Sequence, residues 1–285
     1  MNINKFMRVA PYFYGAAMAA FGVIQLVTQN FLSSLLQVPP TSPLRWISML
    51  LSSAIFILTG LSIVFNIRRQ LALVAVGTLL AIFLLALQLP ALLMNLHNAN
   101  DWAVTFEGVM LTSGAFIIAA GLPDETLISR RWNRTIQVLA MIGHYLFALS
   151  LFVFCIQHIM YFEYILSLIP TWMPVRMVLD YIVVVGYLLC GISFVIGQRV
   201  GLAATWLGIM FFLWILLLHA PRALGKWNVE TEWTSLFVAL AVCGVAFSVA
   251  RRDYGRHGRP ARIVALQADN GGESGMSFVA KGQKT

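Results

Sequence analysis

The chain has 285 residues, of which 60% are apolar and 11% charged. A water-soluble domain carries about 25% charged residues, so this composition excludes a protein whose surface mostly meets water. The net charge of +8 comes without aromatic interleaving or a nucleic-acid-binding motif, so no nucleic-acid partner is expected.

Lys5 and Arg8 precede the first apolar run, which lacks a small-residue cleavage site and is expected to stay as a membrane anchor. The runs that follow approach the ~20 residues a helix needs to cross a hydrocarbon core of about 30 Å. The first span is read over about 10–36 and stops at the prolines of QVPPTSPL. The second covers about 45–67, closed by Arg68 and Arg69; the third, about 71–94, has Pro90 near its end. The polar HNAND loop leads to a fourth span at about 103–122. Residues 123–135 form a charged hinge. The apolar run from Ile136 to Ile169 exceeds one crossing, so the fifth helix should bend or project, with YFEYILSLI at the interface. Further spans are expected at about 176–197, 201–220 and 233–250, followed by a basic, Gly- and Ser-rich tail over 251–285 that should be disordered.

A repeat at an offset of 131 residues organises these spans. Arg68 matches Arg199, Gly77 matches Gly208, Pro90 matches Pro221 and Trp102 matches Trp233; Pro39 with Pro170, Arg45 with Arg176, Gly60 with Gly191 and Phe116 with Phe247 continue the register. The expected fold class is all-α: a polytopic membrane protein of eight transmembrane helices, arranged as two parallel four-helix repeats. The units are 1–122, the hinge 123–135, 136–250 and the tail 251–285. Fifteen Lys and Arg lie on the side of both termini and four (Arg45, Arg176, Arg222, Lys226) on the other. That bias predicts an inner, or cell, membrane location with both termini in the cytoplasm, and membrane lipids as partners of the basic face.

Polar groups gather at the outer helix ends. Asp180, one turn inside the sixth span, lies four residues after Arg176 on the same helical face. The two form either a structural ion pair or part of an outer pocket. Gln88 and His219 stand two residues before the matched prolines, where each either satisfies a freed backbone group or lines a cavity. Asp101-Trp102 and Glu232-Trp233 read as acids at helix starts beside interfacial tryptophans. His144 and His158 are 14 residues apart, a haem-pair spacing that needs a second helix with the same pair, and no such helix exists in the sequence. Cys155, Cys190 and Cys243 lie in apolar runs and read as buried hydrophobes. A ligand-binding outer pocket is assigned to Arg45, Gln88, Arg176, Asp180, His219 and His158. No phosphate loop, nucleophile elbow or strong metal-ligand spacing occurs, so no catalytic residue, metal or cofactor is predicted, and independent catalysis is not expected.

The segments ILTGLSIVFNIRRQLALVAVGTLL and LLCGISFVIGQRVGLAATWLGIM each run from a Gly-containing helix through a basic turn into an apolar helix. With the preceding proline loop, each half resembles the DoxX/DoxD-like superfamily of small four-helix membrane proteins. The family's early acidic residue has a counterpart in Asp180, whereas the first half has Met49 there. The resemblance implies an integral membrane subunit of a larger redox or respiratory complex, anchoring a protein partner and contacting quinone or lipid between helices. The alternative is a carrier or binding protein for a small apolar or acidic molecule, acting through the outer pocket.

Overall fold

The structure is a computed structural model that describes the backbone of residues 7–36, 38–122 and 130–279, and side chains over 7–36, 38–122 and 131–255. In chain order the helices are α1 (Ala10–Thr28), α2 (Arg45–Val64), α3 (Arg69–Phe83), α4 (Leu89–Met94), α5 (Ala99–Ala120), α6 (Arg130–Met160), α7 (Phe162–Leu168), α8 (Arg176–Ile196), α9 (Val200–Trp214), α10 (Ala220–Gly225) and α11 (Glu230–Val279). A π-helical segment, Leu84–Gln88, joins α3 to α4, and another, Ile215–His219, joins α9 to α10. Counting α3 with α4 and α9 with α10, eight helical stretches among the described residues are long and apolar enough to cross a membrane. The protein is therefore all-helical and built for multiple membrane crossings.

The observed boundaries differ from the expected ones in ways that matter for the site. α1 ends at Thr28, and residues 31–36 leave the helix. α5 starts at Ala99, where Asn98 caps it by accepting from the Asn100 N–H (3.0 Å). α6 starts inside the expected hinge, at Arg130; residues 123–129 lie outside the described residues. The long fifth run breaks at Tyr161 into α6 and the short α7. The backbone of α11 runs past residue 250 as far as Val279, through the region read as tail.

Neighbouring helices form a closed ring. α1 packs on α2, α2 on α3, α3 on α5, α5 on α6, α6 on α8, α8 on α9, α9 on α11, and α11 returns to α1. α5 and α11 also touch each other across the middle. These two are the central helices: 78% and 67% of their apolar windows are buried, against 50% or less for the other six. Both halves therefore share one core.

Several local features recur 131 residues apart. The two π segments do so, as do the left-handed N-cap residues Arg68 and Arg199. A proline in a continuing helix lacks an N–H and its ring clashes with the carbonyl four residues back. The widened π turn sits directly ahead of Pro90 and Pro221, where it relieves that conflict. Trp102 donates its indole N–H to the Leu96 carbonyl and Trp233 to the Trp227 carbonyl, both at 2.9 Å. Gly208 has no side chain because the Phe247 ring lies where a Cβ would be, 2.7 Å away; Gly77 stands in the same relation to Phe116, at 3.1 Å. Gly60 lets α2 approach α1 so closely that a Cβ would fall 2.4 Å from the Ala19 nitrogen.

Polar contacts between helices are few and directed. Tyr14 donates to the Leu111 carbonyl (2.8 Å), tying α1 to α5. Gln137 and Gln157 of α6 donate to the carbonyls of Ala120 and Ala99 at the two ends of α5, each at 3.0 Å. The three buried cysteines are free thiols facing backbone carbonyls of neighbouring helices: Cys155 toward Val184, Cys190 toward Ala203 and Cys243 toward Gly208. This is the buried, unreactive role expected of them.

Candidate functional site

Call the end of the bundle opposite Ala10 the far end. There a cavity of about 920 Å³ opens among α5, α6, α7, α8, α9 and α11. Ligand pockets of drug-sized molecules span roughly 300–1,000 Å³. Its rim is polar, with Asn98, Asn100 and Thr231 at helix starts; its floor is apolar, with Met110, Val183 and Val242. From Ala99 to Met110 is eleven residues, about 17 Å along a helix. That depth reaches the middle of a hydrocarbon core about 30 Å thick.

Each charged wall residue is set in place by its helix. Asp180, one turn into α8, is almost fully buried, with 1% of its side chain exposed. Its Oδ1 accepts from or shares a proton with His158 Nδ1 of α6 at 2.6 Å. Its Oδ2 is also buried and has no hydrogen-bond partner among the described residues. Tyr187, two turns deeper on α8, meets the His158 ring edge-on at 5.5 Å and lies within electrostatic reach of both Asp180 and Glu107. Glu107 enters from α5, about 12 Å (eight residues) inside its start. At the rim, Glu232 accepts from Arg222 (2.9 Å) and Lys226 (3.2 Å). Phe154, Tyr187 and Phe211 form a chain of rings with centroids 6.2 and 6.1 Å apart. Trp214 and His219 complete the wall on the α9 side.

Of the six residues assigned to the outer pocket, the structure brings three together: His158, Asp180 and His219 all line the cavity. The others lie elsewhere. Arg176 reaches back to the Leu166 carbonyl (3.4 Å), and the ion pair of Asp180 is with His158. Gln88 is buried in the first half, donating to the Leu35 carbonyl at 2.5 Å. Arg45 binds the Val38 carbonyl and Asn30, sits over the Phe31 ring, and lines a separate groove that also includes Glu230. Asp101, paired with Asn98 (2.9 Å), and Glu232, in the first turn of α11, both stand at helix starts as read, and Glu232 also lies on the cavity rim. His144 faces the Phe194 carbonyl at 2.9 Å, apart from the cavity.

Tyr187 was not singled out by the sequence reading, and Glu107, one of the polar groups at the outer helix ends, was not assigned to the pocket. A usable signal was present in the register of the two halves. The positions of His158, Asp180 and Tyr187 are matched in the first half by Val27, Met49 and Phe56, and Arg222 by Ala91. The polar members of these mismatched pairs all line the cavity.

The first half shows why the cavity opens between α5 and the helices of the second half. Residues 31–36 turn inward after α1, and Phe31, Leu32, Leu35 and Leu36 are all buried. The Gln88 bond to Leu35 pins this segment. The corresponding stretch of the second half is α7, which has no buried residue. Where the first half fills its space with leucines, the second leaves a lined void. Among the described residues no group of three or more His, Cys, Asp and Glu could hold a metal ion.

No family model, no curated protein and no solved structure matches the chain significantly.

Proposed function

We propose that this chain is a membrane-embedded binding protein for a small amphipathic molecule, held in the far-end cavity. The supporting observation is a 920 Å³ space that runs from a polar rim to mid-membrane and has in its wall Asp180, whose buried Oδ2 has no hydrogen-bond partner among the described residues. A buried polar atom without a hydrogen bond costs about 1–3 kcal/mol, a cost that a ligand donor would remove. An intramembrane acid facing a cavity is the usual mark of a substrate path. With the basic end in the cytoplasm, as fifteen against four Lys and Arg indicate, the cavity opens to the opposite face. Entry from that side to mid-depth is half of a carrier's path; passage through the near half would require movement of the packed core.

The test is purification in mild detergent followed by native mass spectrometry. A small molecule should remain bound to the wild-type chain and be lost from Ala103→Trp, which fills the cavity from α5. A stoichiometric protein partner with an empty cavity would instead favour the membrane-subunit reading that the DoxX-like resemblance implies, with its quinone or lipid contacts.

A further inference from the structure

Resting on the reading of the cavity as a binding site, we propose that its ligand is a lipophilic organic cation: an ammonium, phosphonium or similar onium centre on an apolar body. The wall charges lead to this class. Three carboxylates line the cavity, from Glu107, Asp180 and Glu232, against one guanidinium, that of Arg222, and the imidazoles of His158 and His219. Arg222 and Lys226 both bind Glu232, so the rim acid is already neutralised. Two acids remain deeper. The buried Oδ2 of Asp180 has no hydrogen-bond partner among the described residues, its other oxygen being held by His158. Glu107 makes no hydrogen bond or ion pair among the described residues, although it stands about 12 Å along α5 from the polar rim. An anionic ligand would meet both carboxylates without a free cation to receive it. An apolar ligand would leave Glu107 without a charge partner in a low-dielectric space.

The second line of argument is aromatic. The rings of Phe154, Tyr187 and Phe211 stand in contact with one another beside these acids, with Trp214 on the same wall. Ring faces attract a desolvated onium centre, and aromatic cages recognise quaternary ammonium in this way. A bare metal ion does not suit the site: the described donors form no metal cluster, and the space far exceeds one ion. Acids for the charge and rings for the body define the ligand.

Charge can be separated from shape with an isosteric pair, tetraphenylphosphonium and tetraphenylborate. Binding of each to the full-length protein in detergent is measured by tryptophan quenching, with Ala103→Trp as the blocked-cavity background. The expected result is cavity-dependent binding of the phosphonium at least tenfold tighter than of the borate. Glu107→Gln should weaken phosphonium binding about tenfold and leave the borate unchanged; Asp180→Asn provides the same test should the first variant not fold. Cavity-dependent binding with equal or borate-favouring affinity overturns the cation assignment and leaves the cavity reading standing. Failure of both probes to show any difference between wild type and Ala103→Trp, together with no small molecule retained on purification, overturns both.

Discussion

Removing one member of the His158–Asp180 pair should cost more than removing both. Asp180 is 1% exposed and its Oδ1 lies 2.6 Å from His158 Nδ1. His158→Ala would leave both carboxylate oxygens buried without a partner. Breaking a buried pair in this way costs about 3–5 kcal/mol, whereas replacing the whole pair with apolar side chains is often neutral. Protonation of the stranded carboxyl relieves part of the penalty, so the lower figure, ~3 kcal/mol, is expected for His158→Ala. The apolar replacement can be copied from the first half, where the matched residues are Val27 and Met49, the latter fully buried. His158→Val with Asp180→Met should therefore return to within ~1 kcal/mol of wild type. Each kcal/mol moves the melting temperature of a large domain by roughly 2–4 °C. The single variant should thus fall by about 6–12 °C and the double variant by a few degrees. Reversible unfolding in mixed micelles, followed by tryptophan fluorescence, reads both. If the double variant is less stable than the single one, the pair is not a buried charge held by its partner, and the reasoning fails.

At the rim, Arg222→Ala should destabilise by ~2 kcal/mol, because the Glu232 it binds is 7% exposed; Lys226→Ala, losing a cation 60% exposed on its own side, should cost ~0.5 kcal/mol or less and only at low salt. The same unfolding assay with and without added salt separates the two. Leu35→Ala should cost about 2–5 kcal/mol, since it empties a fully buried position of the segment that fills the first half. Ile165→Ala in α7, which buries no residue, should cost under ~1 kcal/mol; equal losses would mean that α7 is packed as tightly as its counterpart. Gly60→Ala should prevent α1 and α2 from closing, a loss of ~3 kcal/mol or more, because its Cβ would strike backbone at 2.4 Å and backbone cannot swing aside. Gly225→Ala, with nothing within 4 Å, should be neutral or stabilising by up to ~1 kcal/mol. Yield of monodisperse protein and unfolding midpoint check both.

The membrane class and the eight crossings were legible in the sequence because the length and polarity of an apolar run are local properties. So were the prolines that end or distort helices, although the π segments before Pro90 and Pro221 required three-dimensional context. The candidate site was half legible. Asp180 and His219 stood out as polar groups in apolar helices, and both reached the cavity. Arg176 was read by helical face and Arg45 by its match to Arg176 in the repeat. Their long side chains turned instead to carbonyls of the preceding segments, Val38 in a loop and Leu166 in α7, contacts that spacing along a helix does not encode. Glu107 was legible as a polar group at an outer helix end but not as a pocket residue, because its neighbours in the wall come from α6, α8 and α9, which only the ring order brings to α5.

The closed ring of helices has a consequence for how the chain could be cut. The contact of α5 with α6 spans the covalent link between the halves, and that of α11 with α1 joins the two ends of the described ring without any link. Both are extensive packed seams, so the bundle has no structural first helix. A gene rearranged to begin at Arg130 and to run from the end of α11 into α1 would keep every helix neighbour while exchanging which seam is crossed by peptide. Two separately expressed halves, divided at the segment 123–129, would likewise have both seams available to find each other in the bilayer.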